Sequence, residues 1–127
     1  AQLLKVKEIE KKKIFLNNIY IKKFKNNKSI DIQSTNINSR LIKWGFPVKF
    51  KNKLIRDKIL KKLNKYSVLA RPSFLSLNKM KHLGFSKSQN NDFINATFLQ
   101  DRILILPLHT KLDKKNLDYI CKIVNSV

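Results

Sequence analysis

Apolar residues recur along this chain with several spacings, and each predicts a different element. Val6, Ile9, Leu16, Tyr20 and Phe24 fall on one side at a period near 3.6, which predicts a long helix from Ala1 to about Lys25. Ile14, Phe15, Ile19 and Ile21 widen its apolar surface beyond one stripe, as expected of a helix packed on two sides, against a further domain or a partner subunit. Ile30 to Ser34 alternates and reads as a short strand. Leu41 to Phe50 reads as a second, with Trp44, Phe46, Val48 and Phe50 on one face and Trp44 in the core. Pro47 places that strand at an edge or at a bulge. Asn52 is positioned to cap a helix running to about Tyr66, with Ile55, Ile59, Leu63 and Tyr66 facing inward.

Ser67 to Phe74 reads as a strand that ends in Arg71-Pro72, and Arg71 is held extended because the residue before proline is pushed out of the α region. Thr35 to Ser39 is polar and loop-like, and a long polar loop from Leu75 to Asn91 carries Lys79, Lys81, His82, Gly84 and Lys87, with one helical turn around Met80. Asp92 is the expected cap of a short helix. The unbroken run Ile103 to Leu106 is too short for a helix and predicts a strand buried on both faces, ended by Pro107. Asp113 then caps a terminal helix with Leu117, Ile120, Cys121 and Val124 at i, i+3, i+4 and i+7. The order suggests an α/β protein of the α+β type: a small, mostly antiparallel sheet of three to four strands with helices packed on one face.

Composition narrows the functional classes. The 127 residues fit one domain, and the first residue, Ala1, suggests a piece of a longer protein. No stretch approaches the ~18 continuous apolar residues of a membrane span, and the lysine-rich start lacks the apolar core of a signal peptide. The single cysteine, Cys121, excludes an internal disulfide, and its place on the apolar side of the last helix marks it as a small core residue. The formal charge of +20 invites a nucleic-acid reading. Against that, only Arg40, Arg56, Arg71 and Arg102 are arginine, and the lysines are spread over every face. Joint over-use of Lys, Asn and Ile points to compositional drift, and the Lys11-Lys12-Lys13 run reads as a solvated face.

The spacing of polar residues assembles no catalytic constellation. Gly45 and Gly84 are the only glycines, so no phosphate-cradling loop exists. His82 and His109 are far apart and cannot complete a zinc site with one cysteine. His109 reads as a turn histidine rather than a general base. Arg71, directed by Pro72 at the mouth of the long loop, is a candidate anion contact, with a structural ion pair or a surface role as the alternative.

Four stretches carry a resemblance to the C-terminal part of the DegT/DnrJ/StrS family of pyridoxal-phosphate-dependent sugar aminotransferases. Ala1-Gln2-Leu3 and the helix after it look like the family's "GLAQL" helix, and Tyr66 to Pro72 looks like its "GI-x-TRP" strand. Asn95 to His109 looks like its "NAE-x-L-x-x-R-x-L-x-LPLHP" segment, and Leu112 to Ile120 looks like its "LSDEDLDYVI" ending. The likeness spans essentially the whole chain. Thr110 stands where the family often has Pro, and Ser67 where it often has Gly. The resemblance implies that residues 1–127 are the C-terminal small domain of a fold-type I aminotransferase, with residues 1–25 as an interdomain helix. It implies pyridoxal phosphate as cofactor, a homodimeric cytoplasmic parent enzyme, and an upstream large domain holding the Schiff-base lysine and most of the cofactor pocket. No catalytic or cofactor-binding residue is then expected here, and the fragment alone should be inactive. Arg71 and Ser73 should line the substrate site, with Asn78 and Lys79 as further contacts. The Arg-Pro strand followed by Asn78-Lys79-Met80 is most similar to members that act on nucleotide sugars for surface glycans, with glutamate as amino donor. The rival readings are a small basic nucleic-acid-binding module and a non-catalytic remnant of the aminotransferase fold.

Overall fold

Ile103–Leu106 forms a strand, β4, and it is the structural centre of the sheet. The computed structural model describes residues 2–34, 42–85 and 92–126; the expected loop from Thr35 to Ser39 and the residues Ala1, Leu41, Lys87 and Asn91 lie outside them. The other strands are β1 (Ile30–Ile32), β2 (Phe46–Phe50) and β3 (Arg71–Pro72), and the sheet order is β1-β2-β4-β3, antiparallel at every pairing. Helices α1 (Val6–Phe24), α2 (Lys53–Lys65) and α4 (Lys114–Val124) supply most of the rest of the core, and the short α3 (Ile94–Gln100) leads into β4. The architecture is the α+β arrangement that the sequence pattern predicts.

The burial of β4 differs from expectation. Leu104 and Leu106 are fully buried, whereas Ile103 and Ile105 are only half-buried. Three helices cover one face of the sheet; on the other, Leu99 of α3 lies beside Ile103 and Ile105 with much of the surface left open. Four apolar residues in a row therefore mark a central strand but not two buried faces.

β2 is an interior strand, so Pro47 does not mark an edge. The backbone N–H of Phe50 donates to Arg102 O on the β4 side, at 2.9 Å. Amides along a strand alternate in direction, so position 47 faces the β1 side. There β1 pairs with β2 only from Phe50 to Val48. The proline thus stands one step past the end of β1, where no ladder bond is lost.

A 3-10 turn over Gln2–Lys5 precedes α1. Burial in α1 begins only at Leu16 and continues through Tyr20 and Phe24, while Val6, expected inward, is 51% exposed. Phe15 and Ile21 are exposed on its other side. Tyr20 lies against Phe46 with ring centroids 4.6 Å apart, and its hydroxyl donates to Pro107 O at 2.9 Å. Burial pushes the Tyr20 hydroxyl far above the ordinary phenol range.

Asn52 caps α2 as expected: the Ile55 N–H donates to its Oδ1 at 2.9 Å. Ile59 and Leu63 are buried, and Tyr66 is largely exposed. The helix closes in a Schellman arrangement, in which Ser67 N–H donates to Asn64 O and Val68 N–H donates to Leu63 O. This geometry puts Ser67 at φ 58, the left-handed region. Glycine occupies that region without a Cβ penalty. Ser67→Gly is therefore expected to raise stability by about 1 kcal/mol. A denaturation midpoint that stays put or falls would show that the site carries no strain.

The left-handed turn at Ser67 also explains why the expected strand from Ser67 to Phe74 shrinks. The chain turns again where Ala70 N–H donates to Val68 O, and pairing with β4 covers only Arg71 and Pro72, with one further bond from Ser73 N–H to Ile103 O. In the loop beyond, two 3-10 turns, Leu77–Lys79 and Lys81–Leu83, flank Met80, and Gly84 closes the second at φ 64. Asp92 is not the cap of α3. Phe93 holds that position and makes no side-chain cap bond, because the helix starts one residue later than the carboxylate would require. Asp113 does cap α4, accepting from Asn116 N–H at 2.7 Å. Leu117, Ile120, Cys121 and Val124 are buried as the periodicity predicts.

Candidate functional site

An open groove of about 640 Å³ lies beside the β3 edge of the sheet. Its wall is built from the turn after α2, from Arg71, from the segment that follows β4 and from the outer side of α4. Arg71 and Ile105 are register partners, and both line it. Arg71 is exposed, so its guanidinium is not held in a buried ion pair. His109 and Lys111 line the same groove and are exposed; the His109 carbonyl accepts from Leu112 N–H, which makes this a turn histidine. None of the described residues lining the groove is acidic.

Trp44 is the main surprise. The sequence pattern places it in the core, yet it is 58% exposed, lines the groove and meets Phe74 with ring centroids 6.0 Å apart. Strand geometry starts only at Phe46, and a bend at 44–45 breaks the alternation. Gly45 permits the bend to approach β4: a Cβ there would run into Ile105 Cγ2. At the far end of the groove Tyr66 and Tyr119 meet edge to face, with centroids 5.9 Å apart. Tyr119 was detectable in the sequence as an aromatic residue off the inward stripe of α4. Trp44 was not, because its parity matches that of Phe46.

The four expected substrate contacts are not gathered in one place. Arg71 lines the groove, while Ser73 lines a smaller cavity on the open sheet face with Pro47, Ile103 and Ile105. Asn78 lines neither. Its Oδ1 accepts from Ser76 Oγ and, at 3.4 Å, from Thr97 Oγ1, while Ser76 N–H donates to Gln100 Oε1 at 2.6 Å. These bonds fasten the loop after β3 to α3. Lys79 is exposed on that loop and also lines neither cavity. Arg102, another of the few arginines, has a structural role: Nη1 donates to Phe98 O, and the guanidinium lies 3.7 Å from the centre of the Phe98 ring. Among the described residues there is no cluster of metal-ligating side chains, and no helix is long and apolar enough to cross a membrane.

A profile of the DegT/DnrJ/EryC1/StrS aminotransferase family matches residues 1–125. The chain belongs to that family. Solved structures of family-like enzymes share the fold. The aminotransferase TlmJ from Streptoalloteichus hindustanus superposes with a TM-score of 0.88 at 16% identity, over 98% of this chain and 33% of its own. The putative sugar aminotransferase Spr1654 from Streptococcus pneumoniae, in its PLP-form, gives 0.80 at 21% identity, over 98% of this chain and 32% of its own. PseC from Helicobacter pylori, an aminotransferase involved in the biosynthesis of pseudoaminic acid, gives 0.78 at 20% identity, over 97% of this chain and 33% of its own. Among curated proteins none matches. The chain spans about a third of the length of these structures.

Pyridoxal phosphate is the cofactor of the family's aminotransferases. The groove offers cationic side chains for an anionic group but does not enclose a pyridine ring. Burial pushes the pKa of the Lys43 amine down; this amine sits 4.9 Å from the centre of the Phe46 ring and does not line the groove.

Proposed function

We propose that this chain is the C-terminal small domain of a pyridoxal-phosphate-dependent aminotransferase that moves an amino group from glutamate to a keto nucleotide sugar for surface polysaccharide synthesis. Bound pyridoxal phosphate supplies an electron sink for such chemistry. The lysine that would hold it belongs to an upstream domain, the parent enzyme is a cytoplasmic homodimer, and α1 is the connection between its domains. The chain's own part is to close one wall of the substrate site. The observation that carries this reading is the open groove beside Arg71, cationic and with no acidic residue among its described lining, in a chain whose family match runs from residue 1 to residue 125. The exposed apolar residues Leu3, Leu4 and Phe15 support a further packing surface along the first helix.

The fragment alone is expected to be inactive. The purified chain, mixed with equimolar pyridoxal phosphate and reduced with borohydride, should show no lysine modified stoichiometrically in a peptide map. One lysine carrying the cofactor in full yield would overturn the assignment of that role to an upstream domain.

A further inference from the structure

We propose that Trp44, backed by Phe74, is a stacking platform for the base of a nucleoside diphosphate whose phosphates are held by Arg71 and Lys111. This inference rests on the proposed nucleotide-sugar reading and assigns the nucleotide end of that substrate to the groove. Two observations carry it independently. The first is exposure: Trp44 and Phe74 are 58% and 76% exposed, yet their rings are in contact, which leaves aromatic surface at the groove's rim. A lone exposed aromatic residue is common, but an exposed pair beside a concavity is a ready surface for a planar ligand.

The second is charge. Arg71, His109 and Lys111 line the groove with no carboxylate among its described lining residues. A guanidinium offers paired donors suited to phosphate oxygens, and an ammonium adds a point charge. A ligand matching both features combines a flat ring with a polyanion. Stacking is tolerant of base identity because every base has a π-face, so the groove sets the class of ligand and not one particular base.

The sole tryptophan of the chain gives the readout. Uridine diphosphate, titrated into the 127-residue chain at about 0.15 M salt to screen its diffuse positive charge, should quench Trp44 fluorescence saturably. By calorimetry, Trp44→Leu should weaken uridine diphosphate about tenfold while leaving inorganic pyrophosphate binding unchanged. Arg71→Gln should weaken both ligands. Trp44 is not part of the buried core, so its replacement leaves the fold in place. The proposal is overturned by the absence of saturable quenching, by equal affinity for pyrophosphate and uridine diphosphate, or by a Trp44→Leu chain that binds uridine diphosphate as the parent does. It is also overturned if pyridoxal phosphate binds as tightly as the nucleotide, since the groove would then accept any ring with a phosphate. Each of these failures leaves the aminotransferase reading standing; that reading is tested separately by the borohydride map.

Discussion

Phe46→Ala is expected to remove about 3–5 kcal/mol of stability, a large share of the about 5–15 kcal/mol that holds a domain of ordinary stability folded. Phe46 is completely buried at the start of β2, where Tyr20 and Phe24 of α1 meet it with ring centroids at 4.6 and 6.1 Å. Truncation would empty the contact between α1 and the sheet. It would also remove the ring on which Tyr20 rests while its hydroxyl reaches Pro107 O. Chemical denaturation of the variant beside the parent measures the loss. A cost below about 1 kcal/mol would mean that the site collapses around the void, and that α1 is held to the sheet by something other than this aromatic cluster.

Stability is also expected to fall steeply above pH 9. Burial pushes the Cys121 thiol from 9.0 up to about 12, with a smaller contribution from Asp118 in the same direction and from Lys23 in the opposite one. Below pH 9 both folded and unfolded chains hold the proton, and the stabilisation is fully present. Between pH 9 and 12 the unfolded chain releases the proton while the folded chain keeps it. Unfolding is then favoured by about 1.4 kcal/mol per pH unit. Tyr20 acts in the same sense at higher pH, because its hydroxyl is likewise held protonated by burial. Lys43 acts oppositely, since burial lowers its pKa and rising pH relieves a cost of folding. Urea unfolding at pH 8 and pH 10 of the parent and of Cys121→Ala isolates the thiol. Parallel losses in the two proteins would show that Cys121 does not set the alkaline limit.

Local interactions were the part of this fold most legible in the sequence. Asn52 and Asp113 cap their helices through bonds to residues three positions away, so composition at the boundary was sufficient. The inward stripe of α4 was legible for the same reason: the four expected positions are among the five buried residues of one amphipathic helix. Asp92 failed by one residue, a shift that periodicity over a seven-residue helix does not resolve. Pro47 and Ile103–Leu106 failed for a different reason. Whether a strand is interior, and whether one face or two are covered, depends on partners distant in sequence. Val6 followed the helical period but lies before the stretch where α1 becomes buried, at Leu16.

Of the four expected substrate contacts, Arg71 is the one that lines the groove. A rare arginine fixed by a following proline is a local signal, and the structure leaves that side chain exposed in the groove. Asn78 looked equally polar in the sequence, but its carbonyl oxygen is engaged by Ser76 and Thr97, a pairing set by the approach of α3. Trp44 required knowledge that the strand begins two residues after it. Exposure of a large aromatic residue is a tertiary property, and the bend permitted by Gly45 creates it.

The outer strands have a consequence for solubility. A sheet invites polymerisation when a border strand presents a long row of free backbone donors and acceptors to a neighbouring molecule. Here one border is three residues long and the other is two, and the shorter carries Pro72 with no amide hydrogen to offer. A second copy of the chain would find too little backbone on either side to extend the ladder, so the domain can carry a half-open sheet without growing into fibres through its edges.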